Sequence, residues 1–157
     1  MNSMINNLEE KHILLYFVDP EIQKAVEQLN YAGRIRSYEG DYLHINDVNF
    51  AGAKSNMFVK HEVKSETFFE GDTVKRKLTI TYRNPYKHSD CNLERGGLCL
   101  NATLRNWLRV YVPKGSKLIS FKGSKTEVLT YEDLGKTVFE GFLTVTLQGN
   151  SVVIFVY

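Results

Sequence analysis

The apolar positions of this chain keep two rhythms, with the change near residue 40. Before it, His12-Ile13-Leu14-Leu15-Tyr16-Phe17-Val18 is an almost unbroken apolar run. It is bounded by Asp19-Pro20 and suits a strand buried on both faces. Asp19 stands where a helix N-cap belongs, and Pro20 at the first helical position, where a missing N–H costs nothing. Ile22, Ala25, Val26 and Leu29 then recur at helical spacing, and Gly33 supplies a stop. Residues 1–40 therefore read as a short β-α unit, the end of an upstream domain or an edge of the one that follows. Both ends look cut: Leu8-Glu9-Glu10 resembles a helix tail, and Val152–Tyr157 stops inside an apolar strand.

From Asp41 onward the period is two. Tyr42, His44 and Asn46 alternate with Leu43, Ile45 and Asp47, and a turn follows at Ala51–Asn56. Met57–Phe69 and Val74–Arg83 alternate about the turn Glu70-Gly71-Asp72-Thr73, which predicts a long antiparallel hairpin. On its wet face Glu62 and Glu66 are placed to pair with Lys75 and Lys77, each pair worth at most about 1 kcal/mol. Asn84–Asn106 is irregular. Strands return at Trp107–Pro113, Lys117–Phe121, Glu127–Tyr131, Lys136–Leu147 and Ser151–Tyr157. About seven strands with regular turns predict a mostly β (α+β) chain, in which residues 41–157 form an antiparallel β-sandwich, Ig-like in style. Tyr16, Phe17, Phe68, Phe69, Tyr82, Trp107, Tyr111, Phe139 and Phe142 fall on strand faces, where core packing is the expectation rather than a sugar-stacking platform.

Composition narrows the partners. Twenty basic and eighteen acidic residues are interspersed, for a net charge of +2, without the concentrated basic stripe that nucleic acid requires. No run has the roughly 18–20 apolar residues of a membrane-spanning helix, and Met1–Glu10 lacks the pattern of a signal peptide. The two cysteines, Cys91 and Cys99, flank a polar segment containing Gly96-Gly97. That spacing suits a small disulfide loop, worth about 2–3 kcal/mol in the loop-entropy account, and an oxidising compartment. The alternative is two buried thiols. A zinc site lacks ligands, since only His88 lies nearby.

Candidate chemistry is sparse. Asp41, His44, Asp47 and Lys54 form the one polar cluster that an enzyme reading would gather at a mouth of the fold, although alternation puts His44 and Asp47 on opposite faces. Gly52-Ala53-Lys54-Ser55 lacks the leading glycine of a phosphate loop and a following helix. Asn101-Ala102-Thr103 matches the glycosylation pattern. No residue set points to a catalytic, cofactor-binding or metal site.

Several stretches together resemble the C-terminal part of a bacterial family known as domain of unknown function 4012. They are Lys11–Tyr16, Gly40-Asp41-Tyr42, Asn49–Asn56, Thr79–Asn84, Asp90-Cys91-Asn92, Arg109-Val110-Tyr111-Val112-Pro113-Lys114-Gly115-Ser116-Lys117-Leu118 and Lys136–Phe142. The resemblance implies an exported envelope protein held by an N-terminal membrane anchor, which this chain lacks, and an extracytoplasmic location. It carries over no functional residues. The expected role is a non-catalytic structural or binding module contacting envelope protein or glycan, with no nucleic acid and no membrane contact of its own. The alternative is the accessory end of an enzyme acting on envelope polymers.

Overall fold

In the computed structural model, which describes residues 2–157, the chain divides into two units, Met1–Tyr38 and Glu39–Tyr157. The first holds α1 (Asn2–Glu9) and α2 (Pro20–Gln28). Asp19 Oδ1 accepts from the N–H groups of Glu21 (2.9 Å) and Ile22 (3.1 Å), so the expected cap is in place. The end of α2 differs from expectation. Asn30, at φ 62°, takes the left-handed position assigned to Gly33, and Arg36 donates to the Glu27 carbonyl (2.6 Å). Only Gln23 and Val26 of α2 are buried, whereas Ile22 and Leu29 face solvent.

His12–Val18 is not a strand. Its backbone is tied to the rest of the unit by Leu15 N–H to Tyr31 C=O (2.9 Å) and Phe17 N–H to Gln23 Oε1 (2.8 Å). Tyr16 and Val18 are 76% and 90% exposed. Apolar composition specifies a buried strand only when a neighbouring strand satisfies its backbone, and among the described residues this unit contains none. No helix of the described residues is long and apolar enough to cross a membrane.

The second unit is the expected antiparallel β-sandwich. Its eight strands are β1 (His44–Asn49), β2 (Lys60–Glu70), β3 (Thr73–Asn84), β4 (Leu104–Val112), β5 (Ser120–Lys122), β6 (Leu129–Asp133), β7 (Lys136–Val145) and β8 (Gly149–Val156). One sheet runs β1-β4-β7-β6 and the other β2-β3-β8-β5. The order is the molecule's own, with the first strand beside the fourth. Period two decides what is inside. Leu104, Leu108, Val110 and Val112 of β4 meet Leu78, Ile80 and Tyr82 of β3, with Phe139, Leu143 and Val145 of β7 and Val153 and Phe155 of β8 closing the core. Phe139 stacks on Phe155 at 6.1 Å across the two sheets.

The hairpin β2–β3 pairs in full register about a two-residue turn, where Gly71 at φ 62° fills a position that disfavours a side chain. Its charges pair differently from expectation. Glu66 does lie opposite Lys77 (3.9 Å), but Glu62 faces Thr81, and Lys75 bonds Glu70 (2.9 Å). The cause is register: the tight turn puts Lys75 opposite Phe68. The β6–β7 turn has both central residues left-handed, Leu134 at φ 50° and Gly135 at φ 71°. Exposed Leu134 has no side-chain hydrogen bond to offset that conformation. Leu134→Asn is therefore expected to raise stability by about 1 kcal/mol, read as a higher urea midpoint with unchanged slope.

Candidate functional site

The structure separates the four polar residues that the sequence placed together. Asp41 pairs with Arg76 (2.6 Å) at the edge of a largely apolar cavity of about 470 Å³, between the tip of the β2–β3 hairpin and the Pro113–Lys117 turn. His44 lies on the outer face of its sheet, its ring 5.6 Å from that of Tyr111. Lys54 is exposed in the turn before a short 3-10 segment, Ser55–Met57. Asp47 points the other way, toward the facing sheet, at an edge of the sandwich where the residue remains exposed.

Asp47 is the polar tie between the layers. Its carboxylate accepts from the Tyr82 hydroxyl of the opposite sheet (2.8 Å) and from the Asn106 side-chain amide. His61 Nδ1 lies 3.8 Å from its other oxygen, and the His61 ring sits edge-on to Tyr82 at 4.8 Å. Burial, together with the Asp47 charge and its hydrogen bond, holds the Tyr82 phenol far above its ordinary value. The adjoining cavity holds only about 50 Å³, room for a water molecule and not for a substrate. A carboxylate and an imidazole do meet here, through His61, which the sequence reading did not single out. Their arrangement fastens one sheet to the other.

The outer face of the β1-β4-β7-β6 sheet is different in kind. Alternation along β4 sends Arg105, Trp107, Arg109 and Tyr111 outward, and register sets them beside outward residues of the neighbours. One row across the strands is Val48–Trp107–Phe142; the next is Asn46–Arg109–Glu140–Leu129. Phe50 lies tilted against Trp107 at 5.6 Å. Trp107 is 38% exposed, Phe50 63% and Leu129 54%. Two shallow depressions, of about 300 and 410 Å³, flank Trp107, and both reach Glu140.

The polar groups of this face are only partly used. Arg109 donates from Nη2 to Asn46 Oδ1 (3.0 Å), while its Nε is covered and has no acceptor. Glu140 Oε2 accepts from the Tyr131 hydroxyl (2.7 Å). Burial, then the Glu140 hydrogen bond and charge, push the Tyr131 phenol up to about 12. That proton stays in place at neutral pH and fixes the Glu140 carboxylate. Core packing was the expectation for Trp107 and Phe142, and it holds for Tyr82 and Phe139. Phe68 and Phe69, at the hairpin tip, also face solvent, as do Tyr16 and Phe17 in the first unit. The signal for Trp107 was its neighbours: it shares strand parity with Arg105 and Arg109, not with Leu108 and Val110.

Cys91 and Cys99 are joined in a loop at one end of the sandwich. His88 lies 3.8 Å from the Cys91 sulfur, which the bond to Cys99 occupies. Asn101 is buried and hydrogen-bonded to Asn84 (2.8 Å) and to the Lys87 carbonyl (2.9 Å), so its amide is no accessible glycosylation acceptor. No protein-family model, curated protein or solved structure matches the chain.

Proposed function

We propose that this chain is a non-catalytic binding module of an extracytoplasmic bacterial envelope protein, of the kind implied by its resemblance to domain of unknown function 4012, anchored through an upstream segment. It binds through the outer face of the β1-β4-β7-β6 sheet. The observation that carries this reading is Trp107. The sandwich core is complete without it, yet a large aromatic side chain stands at the centre of a shallow, partly polar face. Exposed aromatic and arginine side chains grouped in this way are the usual anchors of a binding surface. The Cys91–Cys99 pair fits an oxidising compartment. The polar residues of the alternative, enzymatic reading lie in separate surroundings, and Asp47 is committed to Tyr82 and Asn106.

The test is co-sedimentation of the purified chain with the envelope fraction of its source organism. Trp107→Ala combined with Arg109→Ala is expected to lower retention at least about tenfold. The same double variant should lose about 2 kcal/mol of stability, since it forfeits the Phe50 contact, the cross-strand packing on Val48 and Phe142 and the Arg109–Asn46 hydrogen bond, and leaves the core intact. Lys64→Ala, on the outer face of the other sheet, should be retained as well as the parent. Equal retention of the parent and both variants would show that the face does not bind.

A further inference from the structure

We infer that the ligand of this face is a glycan, a chain of pyranose sugars laid across the strands over Trp107. The inference rests on the binding-module reading and specifies its ligand class. A pyranose has an apolar C–H face and a rim of hydroxyls, each both donor and acceptor. The site offers the complement of both. Trp107 supplies a planar apolar ring, with Phe50 inclined at 46° beside it at 5.6 Å. One register step away, Arg109 and Glu140 present donors and an acceptor side by side on adjacent strands.

The state of those two groups favours hydroxyls over an apolar partner. Of the Arg109 nitrogens, Nη2 is engaged by Asn46, and Nε has no acceptor. Nε is closed off from solvent and stays unpaired, but the guanidinium borders the depression beside Trp107, where a sugar hydroxyl can accept from it and an apolar peptide or acyl chain cannot. Glu140 has one oxygen held by Tyr131, so the carboxylate is oriented while its second oxygen is left for a hydroxyl donor. The two depressions that flank Trp107 share Glu140 and give separate places for successive rings. Its shallowness suits an extended polymer rather than an enclosed small molecule. The opposite charges of Arg109 and Glu140 leave the face without a single strong sign, so the sugar need not be ionic.

Trp107 is the only tryptophan of the chain, so its emission reports directly on the site. The full chain is titrated with linear hexasaccharides of glucose, N-acetylglucosamine and galacturonic acid. At least one is expected to shift and saturate the emission. Calorimetry should then show an affinity loss of at least about tenfold for Trp107→Ala and a smaller loss for Trp107→Phe. Arg109→Gln should weaken binding while leaving the urea midpoint essentially unchanged. If no hexasaccharide binds, and protease treatment of the envelope fraction abolishes Trp107-dependent retention, the ligand is a protein. The glycan assignment then falls and the module reading stands. If there is neither saccharide binding nor retention, both fall together.

Discussion

Truncating Tyr82 to alanine is expected to lower unfolding stability by about 3–5 kcal/mol, the range for emptying an aromatic core site. Tyr82 is fully buried in β3, and its hydroxyl reaches Asp47 across the sandwich. Tyr82→Phe separates the two contributions. It keeps the ring against His61 and loses only the hydrogen bond, for about 1 kcal/mol. Asp47→Ala should cost more than Tyr82→Phe, about 2–4 kcal/mol, because it strands two donors, the phenol and the Asn106 amide. Asp47→Asn keeps one oxygen acceptor and should fall between them. A double-mutant cycle of Tyr82→Phe with Asp47→Ala measures the coupling in urea melts.

The same site contributes to the alkaline limit, beside the raised phenols of Tyr111, Tyr131 and Tyr157. The Tyr82 phenol is held well above its ordinary value, by burial first and by the Asp47 charge and hydrogen bond next. The unfolded phenol ionises near pH 10, at about the ordinary value. This contribution is thus fully present below about pH 10 and is lost as pH climbs toward the raised folded value. Stability of the parent should therefore fall above about pH 10, and Tyr82→Phe should flatten that limb. An unchanged alkaline slope in Tyr82→Phe would show that this phenol makes no contribution to it.

What could be read from the sequence follows from where period two is decisive. In the middle of β3 and at the end of β4 every second residue is large and apolar, and Leu78, Ile80, Val110 and Val112 lie inside as their alternation required. The hairpin, the two-sheet architecture and the Asp19 cap were legible because each rests on local chemistry. His12–Val18 was misread because continuous apolarity does not say whether a partner strand exists. The termination of α2 was misplaced because Asn30, like Gly33, tolerates a positive φ. Strand pairing order was not legible at all: that β1 lies against β4 is settled by packing across some sixty residues of chain, not by neighbours.

The candidate face was half legible. Alternation named the residues that point out of β4, but not that β1 and β7 would bring Phe50, Phe142 and Glu140 to them. A tryptophan on a strand face fits a core or a surface equally well until its parity is compared with that of Arg105 and Arg109. The lack of a shared site in the Asp41–Lys54 stretch was legible in part. Closeness in sequence grouped these residues, but alternation alone already placed His44 and Asp47 on opposite faces, as they are in the sheet. The sheet-to-sheet tie was invisible because Tyr82, His61 and Asn106 come from three strands distant in sequence from Asp47.

Replacing both Cys91 and Cys99 by serine is expected to cost about 2.5 kcal/mol, the loop-closure value for a ring of this size. The bond spans a separation of eight residues, and the enclosed segment contains a short 3-10 turn, Leu93–Arg95, capped by the Asn92 side chain and ended by Gly96 at φ 78°. The full cost is transmitted to the sandwich because the loop is stitched into it. Cys99 N–H donates to the Asp90 carbonyl (3.0 Å), and Ser89 N–H donates to that of Asn101 (3.1 Å). Asn101 in turn is bonded to Asn84, at the buried end of β3. A drop in urea midpoint at constant slope would show that loop and sandwich unfold together; a loss of slope would mark a loop that opens first. Mass spectrometry of the unreduced parent is expected to find two hydrogens fewer than in the dithiol, and two alkylatable thiols after aerobic purification would rule the bond out.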